Sequence, residues 1–268
     1  TPIVTAFTGA INQLDKDLLR RIKEYLAFRC NMQEIFTYPW MDTAVMNAVL
    51  GGDQGVLALS TPPAPENRYI RSSLLPNLIQ AVAKNERFYD SFNLFEEAQI
   101  FRSDAFGSAY DPQEMLPVQR RHIAGAFAGA ASDVTGLFRT AKGVLASMPR
   151  YTHMEAYTFR RVEQPVWADE VVWLNLYLDD TRIGDLALLS KKVSLTCGIR
   201  NLVVVLFELN SDALVPFRSR TNTFTHLAEY PVTDYDVSML FNADVKWDQI
   251  SEAFAKAQHS DRTLRDVA

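Results

Sequence analysis

The stretch that most restricts the fold is residues 201–209, Asn-Leu-Val-Val-Val-Leu-Phe-Glu-Leu. A strand with one wet face alternates apolar and polar residues, whereas this run is apolar at nearly every position. It reads as a central strand buried on both faces. Such a strand needs neighbours on either side and covering layers above and below.

The neighbours are legible upstream. Residues 171–178 and 182–189 flank Asp179-Asp180-Thr181, a hairpin signal. Residues 90–102 read as a strand rich in Phe, Leu and Ile. Residues 122–131 read as another, with Gly125 and Gly129 among small apolar residues, where a backbone or ligand comes close. A short run, 33–38, is stopped by Pro39.

The covering layers are helical. Leu14, Leu18, Ile22, Tyr25 and Leu26 recur at helical spacing within 14–30, with Lys16, Arg20, Arg21, Lys23 and Glu24 opposite and Asn12 as the expected cap. A second helix is expected over 73–87, with Pro76 tolerated in its first turn, and a third over 133–148 from Ser132 as cap. Residues 51–67 carry the Gly and Pro content of a loop. Near the end, Val237, Met239 and Phe241 alternate as in a strand, and Trp247, Ile250, Phe254 and Ala257 mark one face of a terminal helix. The expected fold class is α+β, a large, mostly antiparallel sheet flanked by helices.

Charge and composition exclude several functions. The net charge is −5, whereas a chain that grips nucleic acid by neutralising phosphates is usually basic. The longest apolar stretches are too short to span a bilayer. Cys30 and Cys197 share no metal-ligand spacing and read as buried free thiols suited to a reducing cytoplasm, with a disulfide left open by sequence. Thr1 in place of Met suggests that residues upstream are missing.

Five segments, in order, carry a resemblance. Gln33-Glu34-Ile35-Phe36-Thr37-Tyr38 follows the first helix. Arg71-Ser72-Ser73-Leu74-Leu75-Pro76-Asn77-Leu78 precedes Asn85, and Leu94-Phe95-Glu96 closes with Ile100-Phe101. Ile183-Gly184-Asp185-Leu186 follows, then Glu229-Tyr230-Pro231 with Asp236-Val237-Ser238. Together they resemble the beta subunit of bacterial-type phenylalanyl-tRNA synthetase, with Arg71, Leu74, Leu75, Pro76, Asn85, Phe95 and Glu96 as signature positions. The resemblance implies a class II aminoacyl-tRNA synthetase-like antiparallel sheet flanked by helices over 1–228, and a partial ferredoxin-like anticodon-binding segment over 229–268. It departs from the family at Tyr235, at Ala98-Gln99 and over 188–190.

What the resemblance implies for chemistry is limited. Phe101-Arg102-Ser103-Asp104 imitates the F-R-x-E strand that holds a phosphate in class II synthetases. Arg102 is therefore a candidate relic phosphate contact, against the reading of a strand-end arginine paired with Asp104 or Glu97. The glycine-rich turn leading to a second arginine is missing, because 209–220 contains Pro216, Arg218 and Arg220 but no glycine. No phosphate loop, nucleophile elbow or paired-histidine zinc motif replaces it.

His122, His153, His226 and His259 are too scattered for a metal set, and Glu96-Glu97 point to opposite faces of a strand. Arg120-Arg121 and Arg160-Arg161 read as solvated pairs rather than tRNA contacts, and the aromatics of 88–95 and 167–177 as core rather than a base-stacking platform. No catalytic or metal-ligating residue is assigned. The chain is expected to need no cofactor itself, ATP and magnesium belonging to the family complex.

The implied role is a non-catalytic core that pairs with the catalytic alpha subunit through the first helix and strand, tRNA being met by the full complex. The alternative is a stand-alone paralogue, a homodimer in that case, binding a small amino acid or nucleotide above Gly125 and Gly129 without ligation.

Overall fold

A computed structural model describes residues 13–106, 113, 115–215, 233, 235–245 and 247–260. The run that restricts the fold is strand β9, Leu202–Asn210, the fourth of seven in one sheet. Its side chains alternate between two cores. Val204 and Leu206 enter one, while Val205, Phe207 and Leu209 enter the other. Burial on both faces is why the sequence shows no alternation there.

In chain order, the N-terminal layer is α1 (Leu14–Glu24), drawn out into a π-helical turn, Tyr25–Arg29. Strands β1 (Gln33–Glu34) and β2 (Trp40–Met41) lead to α2 (Thr43–Leu50). Strand β3 (Tyr69–Ile70) pairs with β2, apart from the main sheet, and α3 (Leu75–Asn85) follows. Long strands β4 (Phe92–Phe106) and β5 (Pro117–Ala130) precede α4 (Val134–Thr152). Strands β6 (Thr158–Arg160), β7 (Ala168–Leu178) and β8 (Thr181–Leu189), then α5 (Lys191–Thr196), complete the set before β9.

The sheet order is β1-β4-β5-β9-β8-β7-β6, antiparallel throughout except for the parallel β1–β4 pair. Helices α2, α3 and α5 cover one face, through Val45, Leu78, Ile79, Val82 and Val193. Helices α1 and α4 cover the other, through Ile22, Leu26, Leu145 and Met148. The chain divides into two units, Thr1–Thr221 and Asn222–Ala268. The second contains α6 (Trp247–Ser260) among its described residues.

Several local expectations change. The 33–38 run pairs with β4 over β1 and through the Ile35 amide, which donates to the Phe95 carbonyl at 2.9 Å; it pairs no further, because Thr37 turns its backbone N–H to the Glu96 side chain instead. The N-cap of α1 is Gln13, without a side-chain capping bond; Asn12 lies outside the described residues. Asp133, not Ser132, caps α4 by accepting from the Gly136 amide. Val237, Met239 and Phe241 are exposed and form no strand; an alternating pattern becomes a strand only where a partner edge meets it. Helices α2 and α5 and strand β6 were not expected. Both cysteines are free thiols, and burial pushes that of Cys197 up to about 11.

Candidate functional site

Register places a row of carboxylates across the face that α3 covers. Glu96 on β4 lies opposite Ala124 on β5, which lies opposite Glu208 on β9. Glu208 lies opposite Asp185 on β8, and Asp185 opposite Asn175 on β7. Residues directly opposite in a ladder share a face, so one line holds three acids in an otherwise apolar surface.

Each acid is answered by its own chain. Glu96 is buried and receives Arg71 Nη1 at 3.0 Å, the Thr37 amide at 3.0 Å and the Thr37 hydroxyl at 2.7 Å. Arg71, itself buried, also donates through Nε to the Gln99 carbonyl at 2.8 Å. Glu208 accepts from Ser73 Oγ at 2.6 Å and the Leu74 amide at 2.9 Å, with His122 Nδ1 at 3.0 Å. It thereby caps α3, whose own N-cap residue Leu74 has no side chain able to do so. Asp185 receives Asn175 Nδ2 at 2.7 Å and a fork from Arg182, whose Nη2 reaches both carboxylate oxygens at 2.8 and 2.9 Å.

Burial pulls these groups in different directions. Burial alone would raise the Glu208 carboxyl, but His122, Ser73 and the Leu74 amide outweigh it and hold the group below the usual glutamate range. At Asp185 burial wins over Asn175 and Arg182, and the carboxyl is raised. Among the described residues no three His, Cys, Asp or Glu side chains are grouped to hold a metal ion.

The β1 edge is different in character. Glu96 draws Thr37 inward, so the extended chain turns Phe36 and Tyr38 outward, 78% and 70% exposed. Asn77 Nδ2 holds the carbonyls of Tyr38 and Trp40, at 3.0 and 2.9 Å, and the two rings stack at 4.5 Å. Phe28, in the π-helical turn that ends the N-terminal helical layer, is 83% exposed. Beneath α1 runs a groove of about 490 Å³ in which Lys23 pairs with Glu34 at 2.6 Å and Arg121 with Glu97 at 3.9 Å.

With this geometry in view, residues 1–211 match the family model of the phenylalanyl tRNA synthetase beta chain CLM domain. The chain belongs to this family. The phenylalanine–tRNA ligase beta subunit of Carboxydothermus hydrogenoformans is 26% identical over 80% of this chain, and that of Xylella fastidiosa strain Temecula1 is 28% identical over 82%. The chain spans 27% of the length of each of these relatives. Among solved structures, a pyrrolysyl tRNA synthetase of Desulfitobacterium hafniense superposes with a TM-score of 0.58 at 13% identity, over 75% of this chain and 67% of that one. Giardia lamblia prolyl-tRNA synthetase, in complex with prolyl-adenylate, gives 0.59 at 11%, over 75% and 45%. The fold is that of the class II synthetases.

Within this CLM domain, the residues expected as signature positions fall on both faces of the sheet. Arg71 and Glu96 form one buried pair; Leu74, Leu75 and Pro76 open α3 and are buried; Asn85 closes it; Phe95 enters the opposite core. Arg102 stands apart. It is exposed at the far end of β4, where its guanidinium is bound by Asp104. Register sets Arg102 opposite Val118 and Gly125 opposite Phe95; at ~3.3 Å per residue the two lie roughly 23 Å apart along the strand.

No recess opens above the two glycines. A Cβ on Gly125 would fall 2.2 Å from the Phe207 ring, and one on Gly129 3.4 Å from Leu137. Phe127 is buried, whereas Phe106 is exposed. His153 ends α4 in the left-handed conformation, and Arg160 and Arg161 lie over the rings of Tyr177 and Trp173. Trp167 is core as expected, but Phe88 and Tyr89 are exposed. Pro216, Arg218, Arg220, His226, residues 229–231 and the side chain of His259 lie outside the described residues.

Sequence reasoning missed the groupings around Glu208 and Asp185. The available signal was a carboxylate inside an otherwise unbroken apolar strand, since a buried acid requires partners.

Proposed function

We propose that this chain is a non-catalytic, synthetase-like core of a phenylalanine–tRNA ligase beta subunit, which assembles with a catalytic alpha subunit through α1 and the strand ending at Pro39. The observation that carries the reading is the outward display of Phe36 and Tyr38 on a segment clamped by Glu96 and Asn77. Large apolar groups held in water by a rigid polar clasp are favourable only when a partner covers them. In this reading tRNA is met by the whole complex, in the cytoplasm, where two free thiols stay reduced.

The reading assigns no ATP or magnesium to this chain. The carboxylates on the sheet face are already hydrogen-bonded to Arg71, His122, Arg182 and their neighbours, and Arg102 to Asp104. The alternative of a stand-alone ligand-binding paralogue relied on a recess at Gly125, where Phe207 stands.

Co-expression with a tagged alpha subunit tests the assembly. The wild-type chain is expected to co-purify in a fixed ratio, and Phe36→Asp with Tyr38→Asp to lose the partner while melting as the wild type does. Retention of the partner by that double variant overturns the assigned edge.

A further inference from the structure

Where α3 ends and β4 begins, a cavity of about 260 Å³ is lined without a single charged side chain. Four of its residues are carboxamides: Asn31, Gln33, Asn85 and Asn93. Asn85 donates its Nδ2 to the Ala81 carbonyl at 2.8 Å, which leaves its oxygen as an acceptor. The other three make no side-chain hydrogen bond among the described residues. Asn31 takes a left-handed backbone, φ 51°, which asparagine tolerates better than most residues.

The wall beside these amides is aromatic and exposed. Tyr89, 58% exposed, is held edge-on by Phe88 at 6.4 Å and Phe92 at 6.1 Å. Phe88, 63% exposed, carries the Arg87 guanidinium 4.4 Å from its ring centre. Neither exposed ring contributes to the two cores.

A ligand suited to this place is planar, uncharged in its buried part, and rich in both donors and acceptors. A carboxamide presents one of each in a fork that matches the N6 and N7 edge of adenine. Exposed, immobilised aromatic rings stack bases whatever their sequence. The volume falls below the roughly 300 Å³ at which drug-sized sites begin, which suits a single base with its sugar outside. We propose that this cavity binds an unstacked adenine base, from a free nucleoside or from a single-stranded RNA. It lies nine residues along β4 from Arg102, about 30 Å at strand rise, so the phosphate-contact reading of that arginine has no bearing on it.

The test uses the 268-residue chain, with adenosine, uridine and a short fluorescent oligoadenylate as probes, followed by equilibrium dialysis and anisotropy. Adenosine is expected to bind saturably and uridine more weakly. Tyr89→Ala and Asn93→Ala should each weaken adenosine about tenfold, and Tyr89→Phe should retain it. Binding of oligoadenylate at least tenfold tighter than adenosine identifies a strand as the source; equal binding identifies the nucleoside. Absence of saturable adenosine binding at millimolar concentration, insensitivity to both alanine substitutions, or parity with uridine overturns the proposal. Phe36→Asp with Tyr38→Asp should leave adenosine binding unchanged, so failure of the assembly reading is read separately.

Discussion

Arg71 and Glu96 show how much a single pair can organise. The arginine is taken out of water to meet a carboxylate that also holds both polar groups of Thr37. Removing one member of such a pair strands the other charge, which costs about 3–5 kcal/mol, whereas replacing both by apolar groups of similar size is often far milder. Glu96→Ala is therefore expected to lower the urea midpoint sharply, and Arg71→Met with Glu96→Leu to recover much of the loss. A double variant no more stable than Glu96→Ala would mean that the Thr37 clasp, rather than charge compensation, dominates. Both residues stood in the family signature, so their importance was legible; that they bond each other was not, because 25 residues separate them and only the fold closes that distance.

At the scale of elements, the sequence revealed most where burial governs the pattern. Strand β9, the β7–β8 hairpin and helices α1, α3 and α4 each display a face or run of apolar residues that local chemistry cannot hide. Strand β6 and helix α5 are too short to establish a period, and among the described residues the 237–241 alternation meets no partner edge that would make it a strand. The tie between α3 and β9 was equally hidden, since Glu208 caps a helix 134 residues away through the Leu74 amide.

That tie has a pH signature. Glu208 is held below its usual value, so its folded form favours the carboxylate and contributes stability above the unfolded pKa of about 4.3. The contribution is lost as pH falls through the lower folded value. Asp185, raised by burial, acts in the opposite sense and gains stability as pH falls from its folded to its unfolded value. Glu208→Gln is expected to cost about 1–3 kcal/mol near neutral pH, as for hydrogen bonds to a charged group. Its deficit in urea unfolding should shrink once the pH is taken below that lowered folded value, where the wild-type group has lost its charge. A deficit equal at both pH values would mean that shape, not ionisation, sets the contribution.

For the whole molecule, the question is whether a class II sheet retains its chemistry once its polar face is internally satisfied. A magnesium ion needs carboxylate oxygens that are free to ligate it, yet Glu96, Glu208 and Asp185 are each engaged by two or more donors. Recruiting Glu208 would sacrifice its bonds to Ser73, Leu74 and His122 and uncap α3, against a gain that one weakly bound ion does not supply. Arg102, the remaining candidate for a phosphate, would first have to leave Asp104. Calorimetric titration with ATP and then phenylalanine, in magnesium buffer, is accordingly expected to give no saturable heat attributable to this face. Adenosine binding at the carboxamide cavity would be separated from it by persisting without magnesium and weakening about tenfold in Asn93→Ala. A magnesium-dependent isotherm lost in Arg102→Ala but intact in Asn93→Ala would overturn the non-catalytic reading, because it would place phosphate recognition back at the end of β4.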